Sequence, residues 1–199
     1  GEVAIDNAAS FTINVDNNFT LTDGTFEVNQ SNVNISGDVE LSDTQVSSNG
    51  GVITLNGGTE QLITGNGTGS FADITLNNAA DFEARTPFAV TGTLTLTDGV
   101  LNMQEFALTL ETNSSLSGTF DNSAMITTNG SSGDAGITKV FPDGATPNFT
   151  FPIGFNGDFT PAQFNFSANS GSNNQMTVKP VAATISASTD DDANGDDLL

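Results

Sequence analysis

Ile74-Thr75-Leu76-Asn77-Asn78 and, twenty residues on, Leu94-Thr95-Leu96-Thr97-Asp98-Gly99 decide the fold. Each reads apolar-polar-apolar and then runs into turn-prone residues, the side-chain alternation of a short strand with one buried face. Outward from these two copies the pattern continues as Ile13/Val15, Val33/Ile35, Ile53/Leu55 and a final Leu116. The last members, Val15, Ile35, Leu55, Leu76, Leu96 and Leu116, recur every 20 residues with one step of 21. Each is followed by a turn-prone run, from Asp16-Asn17-Asn18 to Thr97-Asp98-Gly99 and Ser117-Gly118, so every copy ends its strand at the same place. A fixed period of this length marks a solenoid.

Within one copy the apolar pairs fall six or seven residues apart, as in 13/15, 19/21, 26/28, 33/35 and 39/41. One coil therefore holds about three short strands joined by Gly/Asn/Asp corners, the arrangement of a parallel β-helix whose coils stack at roughly 4.8 Å. Six such coils span roughly 30 Å. A leucine-rich repeat needs a further leucine and a fixed asparagine in every copy, and neither is kept. A longer echo, Thr20-Leu21-Thr22-Asp23-Gly24 returning as Thr95-Leu96-Thr97-Asp98-Gly99, reads as an internal duplication.

The expected class is all-β: a parallel β-helix over 1–128, a Phe-rich β-sandwich or cap over 129–187, and an acidic tail or linker over 188–199. Past Asn129 the period stops and phenylalanines crowd in at 141, 149, 151, 155, 159, 164 and 166. Phe149-Thr150-Phe151 and Phe164-Asn165-Phe166 alternate as antiparallel strands do, and Pro142-Asp143-Gly144 and Asn156-Gly157-Asp158 read as turns between them. Such a cap protects the end of a solenoid, which otherwise offers unpaired backbone groups to other chains.

Arg85, Lys139 and Lys179 are the only basic residues against 24 acidic ones, and the formal net charge is −21. That field opposes nucleic acid and anionic membranes, which are recognised by neutralising negative charge. No run approaches the roughly 20 apolar residues of a membrane span. Periodic Val, Ile, Leu and Phe argue against disorder despite the acidity. The chain starts at Gly1-Glu2-Val3 and reads as a mature or excised piece.

Val90-Thr91-Gly92-Thr93-Leu94-Thr95-Leu96-Thr97-Asp98-Gly99, then Phe151-Pro152-Ile153-Gly154 and Asp158-Phe159-Thr160-Pro161-Ala162, resemble large adhesin-like surface proteins of Bacteroidota exported by the type IX secretion system. The resemblance covers about residues 60 to 180 and lacks those proteins' C-terminal sorting domain. It implies an extracellular, cell-surface setting, with self-association, other surface proteins or surface glycans as partners.

Without histidine or cysteine there is no Ser-His-Asp or Cys-His nucleophile system and no imidazole or thiolate for a transition metal. A glycosidase needs only two carboxyl groups, but Asp23 and Asp98 each precede glycine and read first as turn residues. The tail holds D-x-D-x-N-G, the opening of a calcium loop, with Asp190, Asp192, Asn194 and Asp196 as candidate ligands; a solvated acidic linker is the plainer reading. Thr91, Thr93, Thr95 and Thr97 alternate as a water-ordering, ice-binding face would, yet threonine favours any exposed strand face and other coils carry Asn, Asp or Glu at comparable places. The reading is a non-enzymatic structural or adhesive module, with a self-assembling filament subunit as its further form. The alternative is a carbohydrate-binding or carbohydrate-active β-helix, disfavoured by the lack of Trp and Tyr.

Overall fold

The computed structural model describes residues 1–5, 10–144, 148–167 and 174–182. All its regular elements are strands, and they build a parallel β-solenoid of about six turns. Three faces run its length. The first stacks Glu2–Ala4, Gly24–Glu27, Thr44–Ser47, Ser70–Phe71, Phe88–Val90, Ala107–Leu110 and Gly136–Phe141 in parallel. The second stacks Thr12–Val15, Asn32–Ile35, Val52–Leu55, Ile74–Asn77, Thr93–Asp98 and Ser115–Gly118. The third stacks Phe19–Leu21, Val39–Leu41, Gln61–Gly65, Phe82–Ala84, Leu101–Asn102 and Ile126–Thr127.

Alternation on each short strand sends every second side chain inward, so the core is a set of columns along the axis. On the second face Ile13, Val33, Ile53, Ile74, Leu94 and Leu116 form one column. Val15, Ile35, Leu55, Leu76 and Leu96 form its neighbour, and that column ends on Gly118. The 20-residue spacing had placed Leu116 there. The last step is 22 residues because the corner after Leu110 is longer, closed by the Ser114 N–H on the Glu111 carbonyl at 2.9 Å. In mid-stack Ile35, Ile53, Leu55, Leu76, Leu94 and Leu96 are sealed from solvent. Burying one such side chain stabilises by about 1.5–3 kcal/mol.

The Thr-Leu-Thr-Asp-Gly echo does not mark duplicated coils. Residues 20–24 turn from the third face to the first, whereas 95–99 turn from the second to the third. The 75-residue offset spans eleven strands, one short of four complete three-strand turns, so matched residues fall on different faces. What repeats is the strand-plus-corner unit. Both glycines nevertheless do the same local work: Gly24 and Gly99 have φ of 94° and 96°, a conformation that disfavours any side chain.

Polar corners are satisfied internally. The longer corner at Asn56–Glu60 is held by buried Gln61, which donates to the Ile35 and Gly37 carbonyls at 3.0 and 2.6 Å. Its Oε1 accepts from the Gly57 N–H at 2.7 Å and from Asn78 Nδ2 at 3.2 Å. Among the described residues no buried side-chain nitrogen or oxygen lacks a partner.

Past residue 128 the chain first adds one more parallel strand, Gly136–Phe141, to the first face. It then reverses. Asn174–Val178 pairs antiparallel with that strand, Asn148–Phe151 pairs antiparallel with Ala162–Asn165, and Gly154–Phe155 with Asp158–Phe159. Phe149 faces Phe164 across the pair, as their alternation required. Phe141, Phe149, Phe151, Phe164 and Phe166 form a chain of rings with centroids 4.8–6.5 Å apart, mostly edge to face. Phe151-Pro152-Ile153-Gly154 closes the third face: the Ile126 N–H donates to the Pro152 carbonyl at 2.8 Å, and Ile126 bridges Ile153.

Candidate functional site

Four places on the rod can carry function: its outward faces, a groove on the first face, and its two ends. On the second face the outward column is Asn14, Asn34, Thr54, Thr75, Thr95 and Ser117. Asn34 Nδ2 donates to Asn14 Oδ1 at 2.9 Å, so the column begins as an amide ladder and continues in hydroxyls. It contains no carboxylate, although the chain carries 24. The four-threonine row is not one face: Thr91 sits at a corner with its hydroxyl on the Phe71 carbonyl, while Thr93 and Thr95 are on the second face.

A groove of about 520 Å³ crosses the first face. Ser70 and Ala89 are its low floor, the Gly67–Gly69 corner and Pro87 one wall, and Glu111 to Asn113 the other. Gln45, Thr91 and Thr109 add hydroxyl and amide groups, and Glu111 is its only carboxylate. Such a lining suits hydrogen bonding to a neutral polar ligand. It offers no second carboxyl group for glycoside cleavage.

At the C-terminal end Lys139 stands in an inward column. Val3, Phe26, Val46, Phe71, Val90 and Leu110 lead to it strand by strand. Only 4% of Lys139 is exposed. Its ammonium donates to the Glu111, Ser114 and Thr112 carbonyls at 2.6, 2.8 and 3.2 Å and to Ser114 Oγ at 3.1 Å. Phe149 lies with its ring centroid 5.9 Å from Nζ. Burial pushes the ammonium down to about 8, and the Glu111 carboxylate pulls the other way. Lys179 works similarly, donating to the Ser132 and Asp134 carbonyls. Arg85, Lys139 and Lys179 lie far apart in the sequence. Two of them gather where the rod closes and hold backbone carbonyls of its last corners, and Arg85 pairs with Glu83 at 2.6 Å on the third face.

Asp23 and Asp98 lie beside the positive-φ glycines 24 and 99, as turn residues do. Among the described residues no group of three or more acidic side chains converges as metal ligands would. Asp190, Asp192, Asn194 and Asp196 lie outside the described residues. Among the described residues no helix is long and apolar enough to cross a membrane.

No protein-family model matches this chain, and neither a curated protein nor a solved structure is significantly similar to it.

Proposed function

We propose that the chain is a non-enzymatic, extracellular structural or adhesive module of a bacterial cell-surface protein. The observation that supports this reading is the unbroken stack. Columns such as Ile35–Leu55–Leu76–Leu96 run through successive coils, and each coil templates the next through shared backbone hydrogen bonds. A rod of this kind spaces and displays whatever it joins. The neutral Asn/Thr column gives its second face one row of polar groups without a carboxylate, on which an uncharged partner can be held.

The second reading, a carbohydrate-binding β-helix, is favoured by the groove at Ser70, Ala89 and Thr109 with its hydroxyl and amide lining. One screen separates the readings: neutral and acidic polysaccharides, with and without calcium, assayed for binding and for released reducing ends or unsaturated products. Neither turnover nor groove binding is expected. Turnover abolished by changing one carboxylate to its amide would replace the structural reading with the enzyme.

The tail is proposed as a weak calcium site through Asp190, Asp192, Asn194 and Asp196, with affinity no tighter than roughly 0.1–1 mM. Calorimetry on the whole chain and on a version ending at Ser188 checks it. Equal uptake by both removes the tail from consideration.

A further inference from the structure

Where the reversing chain after residue 141 folds against the third face it leaves a cleft of about 440 Å³, separate from the groove on the first face. Its floor is the end of the parallel stack. Leu101 and Ile126 point into the core there, so their strand neighbours Asn102 and Thr127, which lie side by side, point outward into the cleft. Asp81 and Asn122 line its rim on the solenoid side. The hairpin that pairs Gly154–Phe155 with Asp158–Phe159 supplies the facing wall through Phe155 and Asn156.

Each wall is held in place. Asn156-Gly157 has positive φ at both residues, 53° and 84°, the tight two-residue hairpin turn that an Asn-Gly pair adopts without strain. The Phe155 ring lies on Gly130, where any side chain would collide with it. Across the cleft the Asp81 N–H donates to the Asn78 carbonyl at 3.0 Å, and Asp81 Oδ1 accepts from the Val100 N–H at 2.8 Å. Asn102 Oδ1 accepts from the Gln104 N–H and Asn122 Oδ1 from the Phe159 N–H, each at 3.0 Å. Both amides are thus anchored through their oxygens. Among the described residues their Nδ2 groups, and Asp81 Oδ2, have no partner of their own.

We propose that this cleft binds a neutral saccharide, a mono- or disaccharide unit of a surface glycan. The chemistry present is what a pyranose ring calls for. Asp81 accepts from sugar hydroxyls, the anchored amides of Asn102 and Asn122 donate to them, and Thr127 does either. The half-buried Phe155 ring gives the apolar C–H face of the sugar a flat surface to lie against. A few fixed polar groups converging beside one aromatic wall, in a cleft within the roughly 300–1,000 Å³ range of small-molecule sites, make a recognition site and not merely a gap between elements.

The same residues disfavour other occupants. Asp81 is the only carboxylate in the lining, too few for a calcium ion that gathers about 6–8 oxygen ligands, and one short of the pair that glycoside cleavage needs. No cation lines the cleft, and a chain of formal charge −21 repels phosphates and uronates. Leu101–Asn102 is paired on both sides and Ile126 is bridged to Ile153, so the floor gives a peptide no open edge for strand addition.

This inference rests on the adhesive reading and names its partner. Failure of the cleft to bind sugar would remove the cleft and leave the rod reading, whereas polysaccharide turnover would remove the rod reading and leave the cleft to be judged by its own variants. The test is proton–nitrogen NMR of the whole labelled chain, titrated to about 10 mM with maltose, cellobiose, lactose and mannobiose, and with digalacturonate as the acidic counterpart. The expected result is saturable movement of the Asn102 and Asn122 side-chain amide signals with at least one neutral disaccharide and weaker movement with digalacturonate. Phe155→Leu keeps an apolar side chain on Gly130 but loses the ring face, and Asp81→Asn keeps the corner but loses the charge. Either should weaken binding at least about 10-fold, while Gln45→Ala in the first-face groove leaves it unchanged. If Phe155→Leu does not fold, Asp81→Asn decides alone. The proposal is overturned by no response to any neutral disaccharide, by affinity that both cleft variants leave intact, by tighter binding of digalacturonate, or by binding that Gln45→Ala abolishes.

Discussion

Both ends of one inward column break the ordinary rule for what is buried, in opposite senses. At the N-terminal end Val3 is apolar and 62% exposed; at the C-terminal end Lys139 is charged and 4% exposed. Between them Phe26, Val46, Phe71, Val90 and Leu110 obey the rule. The contrast teaches that a solenoid column has no natural stop. An apolar member such as Val3 is buried only by a neighbour laid on it, whereas Lys139 carries its own partners, three backbone carbonyls and a hydroxyl. Within the described residues the column runs from an exposed apolar side chain to a buried, hydrogen-bonded charge.

The largest effect expected within this comparison lies between the ends. Leu55→Asp places an unpaired carboxylate in a sealed column and should cost about 4 kcal/mol or more, enough to abolish the cooperative melt. Ile13→Asp, the same kind of change at a column member that is 38% exposed, should cost under about 1 kcal/mol. Parity of the two in thermal melts would mean that the proposed column register or the exposure of the first coil is wrong.

Next comes the closed end. Lys139→Met keeps the stem and removes the ammonium, leaving the Glu111, Thr112 and Ser114 carbonyls without their donor. A loss of about 2–3 kcal/mol at pH 7 is expected, the usual cost of stranding buried acceptors less the relief from a buried charge. Denaturant titration checks this, and a variant more stable than the parent would show that the cage is a burden and not a clasp.

The pH dependence sharpens the same point. Lys139 falls from its ordinary 10.5 to about 8 in the folded chain. Below pH 8 both folded and unfolded forms hold the proton, so this group adds no slope. Between about 8 and 10.5 the unfolded chain binds more protons than the folded one, so stability should rise with pH and then level off. The rise should be at most about 3 kcal/mol, and absent from Lys139→Met. No Tyr, Cys or His is present to titrate across that window. A flat profile in the parent would mean that the four acceptors fully offset the burial.

Much of this architecture was legible in the chain. Ile74-Thr75-Leu76 and Leu94-Thr95-Leu96 announced both the strand and its partner, because twenty residues is one turn and neighbours in the stack are one period apart. Phe149 and Phe164 announced the antiparallel pair for the same local reason. The readings that failed were those of cumulative register. Leu116 was set beneath Leu96, but two added residues in the Glu111–Ser114 corner move it beneath Leu94. The Thr-Leu-Thr-Asp-Gly echo looked like a duplication, yet its offset carries it to another face. The Lys139 site was missed although a signal was present: Ile137, Lys139 and Phe141 alternate, which puts the lysine on the same side as two apolar residues. The exposure of Val3, Phe11 and Ile13 had no such signal, since they look no different in sequence from their buried counterparts.

By itself the sequence determined the strand-and-corner unit, its period near twenty, the all-β class and the aromatic reversal after residue 129. These depend on the backbone's two-residue alternation and on turn chemistry, which act over a few neighbouring residues. Only the tertiary structure decided which residue stacks on which, that the outward column of the second face is free of charge, and that Lys139 closes an apolar column. Register sums the lengths of every preceding corner, which no local window of sequence contains.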